Sequence, residues 1–227
     1  MSVLVVALYA EGSTDDRFLP PIIQRTAERI ITQYGQNVVD VLEPVIVPSQ
    51  PHQHREECIL SAACYAHGYH ALIVHADADG RTPDRALLER IQPGFDLVSR
   101  TDKEACKHLI PVIPVQMIEA WMLADHSALC EVIGTDLSPQ ILGLPGRSVE
   151  VERDANPKQT LNEVIQRAIS HRPQRRRQLD FTTRQESLAR RINLNTLYFV
   201  PSYREFFINF KKTLAELNFI PWNHSEE

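Results

Sequence analysis

Residues 71–80 read Ala-Leu-Ile-Val-His-Ala-Asp-Ala-Asp-Gly, and the change of character within that stretch sets the fold class. Ala71 to His75 is a short apolar run of the kind that forms a strand covered on both faces. Asp77-Ala78-Asp79-Gly80 breaks it, and Gly80 gives the backbone the freedom a sharp turn needs. A buried strand that runs out into two carboxylates belongs to the carboxyl edge of an open α/β sheet, where such folds hold their ligands.

The same pattern stands at the start of the chain. Val3 to Tyr9 is a continuous apolar run that ends at Ala10-Glu11-Gly12, again a buried strand followed by a tight turn. A helix is predicted next, capped by Ser13 or Thr14, with Asp15 and Asp16 in its first turn and Phe18, Leu19, Ile22, Ile23, Ala27, Ile30 and Ile31 at helical spacing. Pro20 and Pro21 are expected to kink it or delay its regular start. Val41 to Val47 reads as a strand interrupted by Pro44, hence near an edge or bulged. Helices are predicted over 56–67 and 83–91, and a fourth strand over 109–115. That strand feeds an amphipathic helix carrying Glu119, Trp121, Met122 and Leu123.

Strands alternating with helices imply a mostly parallel sheet with helices on both faces, since each parallel crossover takes about a dozen residues. Residues 1–133 are read as this α/β domain. After Gly134 the punctuation by Pro139, Gly143, Pro145 and Gly146 gives way to helical patterns over 158–170, 183–192 and 202–217. Residues 134–227 are accordingly read as a loop-rich, helical extension packed on the sheet.

At 227 residues the chain can bury a core without disulfides or structural metal. Its four cysteines form no C-x-x-C pair, which fits reduced, buried thiols. No apolar run reaches the roughly 18 residues a bilayer span needs, and the start lacks a signal-peptide pattern, so a cytoplasmic protein is expected. A net charge of −5 argues against coating nucleic acid by bulk electrostatics. Any such contact must be local, and a basic stripe through Arg172, Arg175, Arg176, Arg177, Arg184, Arg190 and Arg191 offers one place.

Glu11 and the Asp77/Asp79 pair all follow predicted strand ends, so they can share one rim although distant in sequence. Hard carboxylate oxygens select Mg²⁺, or Mn²⁺. Three carboxylates also allow one to move a proton while the others hold the ion. Glu119, just past the fourth strand, is a fourth candidate. Asp125 lies six residues on, about 600° around a regular helix and so roughly opposite. Lys158 is a candidate phosphate contact. His52-x-His54 and His75 lack a third ligand at zinc spacing, and no G-x-x-x-x-G-K-[ST] phosphate loop occurs.

These residues resemble a family. Glu11-Gly12-Ser13-Thr14-Asp15, His75-Ala76-Asp77-Ala78-Asp79 and the run from Pro114 to Asp125 are similar to the TOPRIM-like proteins grouped as domain-of-unknown-function family 4276. Asn156-Pro157-Lys158 with Leu161, and Ser202, Phe206, Phe207 and Leu214, extend the likeness over nearly the whole chain. The TOPRIM domain is shared with topoisomerases, primases and overcoming-lysogenization-defect (OLD) nucleases. The resemblance implies a TOPRIM-like, Rossmannoid fold, Glu11 as general acid/base and also a candidate metal ligand, and Asp77 and Asp79 as Mg²⁺ ligands. It also implies an AAA- or ABC-type ATPase partner in phage defence.

Two functions follow as expectations. One is a Mg²⁺-dependent nuclease acting on DNA or RNA, with Glu11, Asp77, Asp79 and Glu119 catalytic and Lys158, Arg175, Arg176 and Arg177 contacting nucleic acid. The other is a non-catalytic scaffold that binds and regulates an ATPase. A small-phosphate-ester hydrolase is a weaker third, and a homo-oligomer is compatible with any of them.

Overall fold

A computed structural model describes residues 2–10, 12, 14–48, 54–144, 146–170 and 179–222. The first apolar run forms two consecutive strands, β1 (Ser2–Leu4) and β2 (Val6–Tyr9). Helix α1 (Asp15–Tyr34) follows. Its predicted apolar positions are all buried. Pro20 and Pro21 do not delay its start: both lie inside the helix, and both are buried. Burying the two rings against the core offsets the helical N–H groups they lack. Thr14 precedes the helix but makes no side-chain cap bond.

The proline in the second predicted strand divides it into β3 (Val39–Val41) and β4 (Val45–Ile46). Helix α2 (Arg55–Tyr65) leads to β5 (Ala71–His75). The helix predicted from Pro83 runs further than its pattern suggested, as α3 (Pro83–Ala86), a π-helical segment Leu87–Ile91, and α4 (Gln92–Arg100). Strand β6 (Leu109–Val112) stops short of Pro114.

Strands β4, β2, β5 and β6 form one sheet in that order, every pairing parallel, and β1 pairs with β3 alongside. Side chains alternate across it as a period of two requires. Val6, Leu8 and Ile73 join the larger hydrophobic cluster with α1, whereas Ala7, Tyr9, Leu72 and Val74 pack with Cys58, Ile59 and Ala62 of α2 and Val98 of α4. Helices therefore cover both faces.

The amphipathic helix expected after β6 is instead a single buried turn, α5 (Glu119–Met122). Asp125 begins α6 (His126–Ile133), accepting from the Ala128 N–H at its cap. Then come α7 (Pro139–Leu142), a 3₁₀ segment Ser148–Arg153, α8 (Pro157–Ser170), a 3₁₀ turn at Thr182–Arg184, α9 (Gln185–Arg191), α10 (Leu194–Leu197) and α11 (Pro201–Glu216). The large cluster runs across Gly134, joining Phe18 and Ile22 to Trp121, Val164, Tyr203 and Phe206. Trp121 sits fully buried at its centre, edge-on to Tyr203, its indole N–H donating to Ser202 Oγ at 2.8 Å. None of the four cysteines forms a disulfide among the described residues, and Cys58 and Cys106 are buried.

Candidate functional site

Parallel pairing brings the two apolar runs to the same edge. Tyr9 is in register with Val74, and His75 with Val112. The chain leaving β5 stays attached to the chain leaving β6: the N–H groups of Ala76, Ala78 and Asp79 donate to the carbonyls of Val112, Pro114 and Gln116 at 3.0, 3.1 and 3.1 Å. Asp79 and Gln116 both take left-handed backbone angles, φ 49° and 63°, and Gly80 follows at 77°. For aspartate and glutamine this conformation carries strain of a kind that gathers at functional sites.

His75 organises the carboxylates. Its ring has no solvent exposure, with Nδ1 3.3 Å from Asp15 Oδ2 and Nε2 3.3 Å from Asp77 Oδ1. Neither contact has the alignment of a full hydrogen bond. Burial pushes the imidazole pKa down, but the two carboxylates outweigh it and raise the value to about 9. The imidazolium thus joins the start of α1 to the end of β5. Asp15 Oδ2 also accepts from the Gly12 N–H at 3.0 Å, which fixes backbone next to position 11. Glu11 itself lies outside the described residues.

The D-x-D aspartates face different partners. Asp77 turns to His75, whereas Asp79 Oδ2 accepts from Arg90 Nη1 at 2.6 Å. Arg90, from the π-helical segment, also donates to the Asp77 carbonyl at 2.5 Å. Arg55 braces the assembly from α2, donating to the carbonyls of Arg90 and His75, each at 2.7 Å. Burial, with Arg90 close by, brings the Arg55 guanidinium down to about 10.

Glu119 is buried on the same rim. Burial raises its pKa, the charges of Asp77 and Asp15 add to the rise, and Lys158 opposes it. Asp16, just beyond Asp15, is also raised, by burial and by Asp15. Asp125 is occupied structurally, accepting from the N–H groups of Ala128 and Asn193 at 3.1 and 2.8 Å. The predicted opposition of Glu119 and Asp125 on one helix does not apply, because the helix ends between them.

The donor chemistry fits a hard divalent cation: carboxylate oxygens dominate the rim, and Asp77 Oδ1 is a buried acceptor that receives no hydrogen bond. Among the described residues, no three His, Cys, Asp or Glu side chains already converge on one point.

Arg175, Arg176 and Arg177 lie outside the described residues, as does Arg172. The described part of the basic stripe is tied to its own chain. Arg184 donates to the Val132 carbonyl, Arg190 pairs with Glu186 and Glu43, and Arg191 pairs with Glu131. Lys158 is exposed and borders an open trough of about 670 Å³ along α8, lined by Asn156, Gln159 and Asn162. His54 is the N-cap residue preceding α2, with no side-chain cap bond, and His52 lies outside the described residues.

Sequence reasoning took Asp15 as a helix-start charge and set His75 aside with the zinc candidates. The available signal was position: His75 ends the strand two residues before Asp77, and Asp15 follows Glu11 within one helical turn. Arg90 and Arg55 had no such signal.

A carboxylate-bearing rim at the carboxyl edge of a parallel α/β sheet defines the class of fold and site. Residues 10–207 match the family described as a domain of unknown function, DUF4276, and the chain belongs to that family. No curated protein and no solved structure matches it. Among the described residues, no helix is long and apolar enough to cross a membrane.

Proposed function

We propose that the chain is a Mg²⁺-dependent phosphodiester hydrolase of the TOPRIM type, acting on DNA or RNA as the effector of a defence system with an ATPase partner. The observation that carries this reading is the meeting of Asp15, His75 and Asp77 at the edge where β2 and β5 end together. It brings the acidic stretches after the two strands to one locus.

Asp77 and Asp79 are the residues assigned to hold Mg²⁺, or Mn²⁺, with Glu11 able to join them. A divalent ion bound there supplies Lewis-acid stabilisation for charge developing on a phosphate. Glu11 is assigned the proton transfer. Glu119, whose burial raises its pKa toward the working range, is a second acid/base group. Lys158 supplies positive charge on the Glu119 side. His75 does not contact substrate in this scheme; it orients Asp77 and ties it to Asp15. Contacts to nucleic acid are assigned to Lys158 with Arg175, Arg176 and Arg177.

One observation favours the scaffold reading: Asp79 and Asp77 are already charge-paired, with Arg90 and His75. On that reading the rim is a stabilising network, and the chain docks on and regulates an ATPase.

The two separate in one experiment. The purified chain, with and without a candidate AAA- or ABC-type ATPase partner, is incubated with labelled DNA and RNA in Mg²⁺, Mn²⁺ or chelator. Metal-dependent cleavage lost in Glu11→Ala and Asp77→Asn, both still folded and still binding the ATPase, supports the hydrolase. No cleavage under any condition, with ATPase binding intact, leaves the scaffold.

A further inference from the structure

We propose that Arg90 is a built-in counter-ion of the D-x-D turn, paired with Asp79 while no cation is bound and displaced from it by a divalent cation. This rests on the reading of Asp77 and Asp79 as cation ligands.

Three observations point to an exchangeable contact rather than a permanent brace. Arg90 lies in a π-helical segment, Leu87–Ile91, and such segments frequently mark functional sites. Its Nη1 meets both the Asp77 carbonyl and Asp79 Oδ2, so one guanidinium edge covers the turn that presents both aspartates. The pair is also open to solvent on one side, Asp79 being half exposed and Arg90 one-fifth. An ion pair so placed is worth little to stability, so a multivalent cation can compete for it.

The turn does not depend on Arg90 for its shape. Backbone bonds from Ala78, Asp79 and Arg81 to the carbonyls of Pro114, Gln116 and Ala78 hold it independently. Removing Arg90 therefore leaves the ligand turn in place and removes a competing positive charge. Arg85, on the same helical stretch, pairs with Glu89 instead and serves as a charge-matched control.

The test is Mn²⁺ titration of the full chain by calorimetry, with circular dichroism to confirm folding. Arg90→Gln is expected to bind Mn²⁺ about two- to fivefold more tightly than the unaltered chain, the range one exposed pair can supply. Arg85→Gln should change affinity less than about twofold, and Asp77→Asn should abolish binding. If Arg90→Gln does not fold, Arg90→Lys keeps the charge while losing the guanidinium edge, and intermediate tightening supports the proposal. Mn²⁺ affinity that is sensitive to Asp77→Asn but unchanged or weakened by the Arg90 substitution overturns this inference alone. Absence of Mn²⁺ binding in both the unaltered chain and Arg90→Gln overturns the ligand reading, and this inference with it.

Discussion

Asp15 Oδ2 and His75 Nδ1 lie 3.3 Å apart, joining the first turn of α1 to the last residue of β5 in a place closed to solvent. A buried imidazolium between two carboxylates depends on both, since the loss of either leaves charge in a poorly solvated site.

Stability should therefore fall in alkaline solution. The folded pKa of His75, about 9, stands above its ordinary value of 6.5. Its contribution is complete below about pH 6.5 and is lost as the pH rises through 9, with a size on the order of 3 kcal/mol. Asp15 and Asp77 face the ring directly, and Asp16 lies within reach of its charge. Urea denaturation in chelator at intervals from pH 6 to 9.5 should show the decline in the unaltered chain. His75→Gln should be less stable at pH 6 and nearly flat over that window; a parallel decline in the variant would assign the effect to other groups.

How much of this was legible in the sequence follows from what each feature depends on. The parallel sheet was readable because Val3 to Tyr9 and Ala71 to His75 are apolar throughout, a pattern set by burial on both faces. Their shared edge then came from topology. Asp15 was placed correctly in the first turn of the helix, but its contact with His75 was not visible, because an acid there already has a sufficient local reason to be present. Arg90 was out of reach: its bond to Asp79 depends on the rotation of a π-helical segment, and no residue pattern announced that segment. Glu119 was placed on the right rim, but on a helix that proves to be one buried turn. All four of its residues are buried, so apolar periodicity could not mark where it ends.

If the chain hydrolyses phosphodiesters, Glu119 and Lys158 should control its acid limb together. Burial and the nearby aspartates raise the Glu119 carboxyl, and Lys158 holds it down. Lys158→Met removes the lowering influence, so the Glu119 pKa rises and the acid limb of kcat/KM moves to higher pH. Glu119→Gln should abolish that limb and lower the rate by roughly 10²-fold or more, the usual worth of a positioned acid/base group. A pH–rate profile for each variant decides, and a limb that stays put in Lys158→Met rules out the coupling.

Glu152 anchors the 3₁₀ segment to α11. Its Oε1 accepts from both the N–H and the hydroxyl of Ser202, whose oxygen in turn accepts from Trp121. Burial raises the Glu152 carboxyl, and the Ser202 bonds pull it back. Ser202→Ala leaves the buried indole N–H without its acceptor and should cost about 1–3 kcal/mol. Glu152→Gln, which keeps an acceptor, should cost less than Glu152→Ala. Urea midpoints with unchanged slopes measure both.

Gly94 of α4 packs directly on Ile59 of α2. A Cβ there would stand 2.6 Å from Ile59 Cδ1, 2.7 Å from its Cβ and 2.9 Å from its Cγ2. The clash includes the branch point itself, so no rotation of Ile59 relieves it, and the helices must separate. Gly94→Ala gains helix propensity of about 1 kcal/mol, whereas overpacking a dense interface costs typically 1–3 kcal/mol, so the net change should be destabilising. Ile59→Ala alone should also destabilise, by leaving a cavity against β2 and β5. Alanine at 59 keeps the Cβ that stands 2.7 Å from the added one, so the double variant sheds only the Cδ1 and Cγ2 contacts, and its loss should fall only modestly below the sum of the two single losses. A double-mutant cycle by urea denaturation gives that difference. Strict additivity would mean that the Cβ–Cβ contact alone, and not the branches of Ile59, excludes a side chain at 94. Because the same helix pair carries Arg55 at its start and Arg90 just before α4, separation should also lengthen the Arg55 bond to the Arg90 carbonyl. Loss of cation affinity in Gly94→Ala, partly recovered in the double variant, would connect the packing of this face to the rim above it.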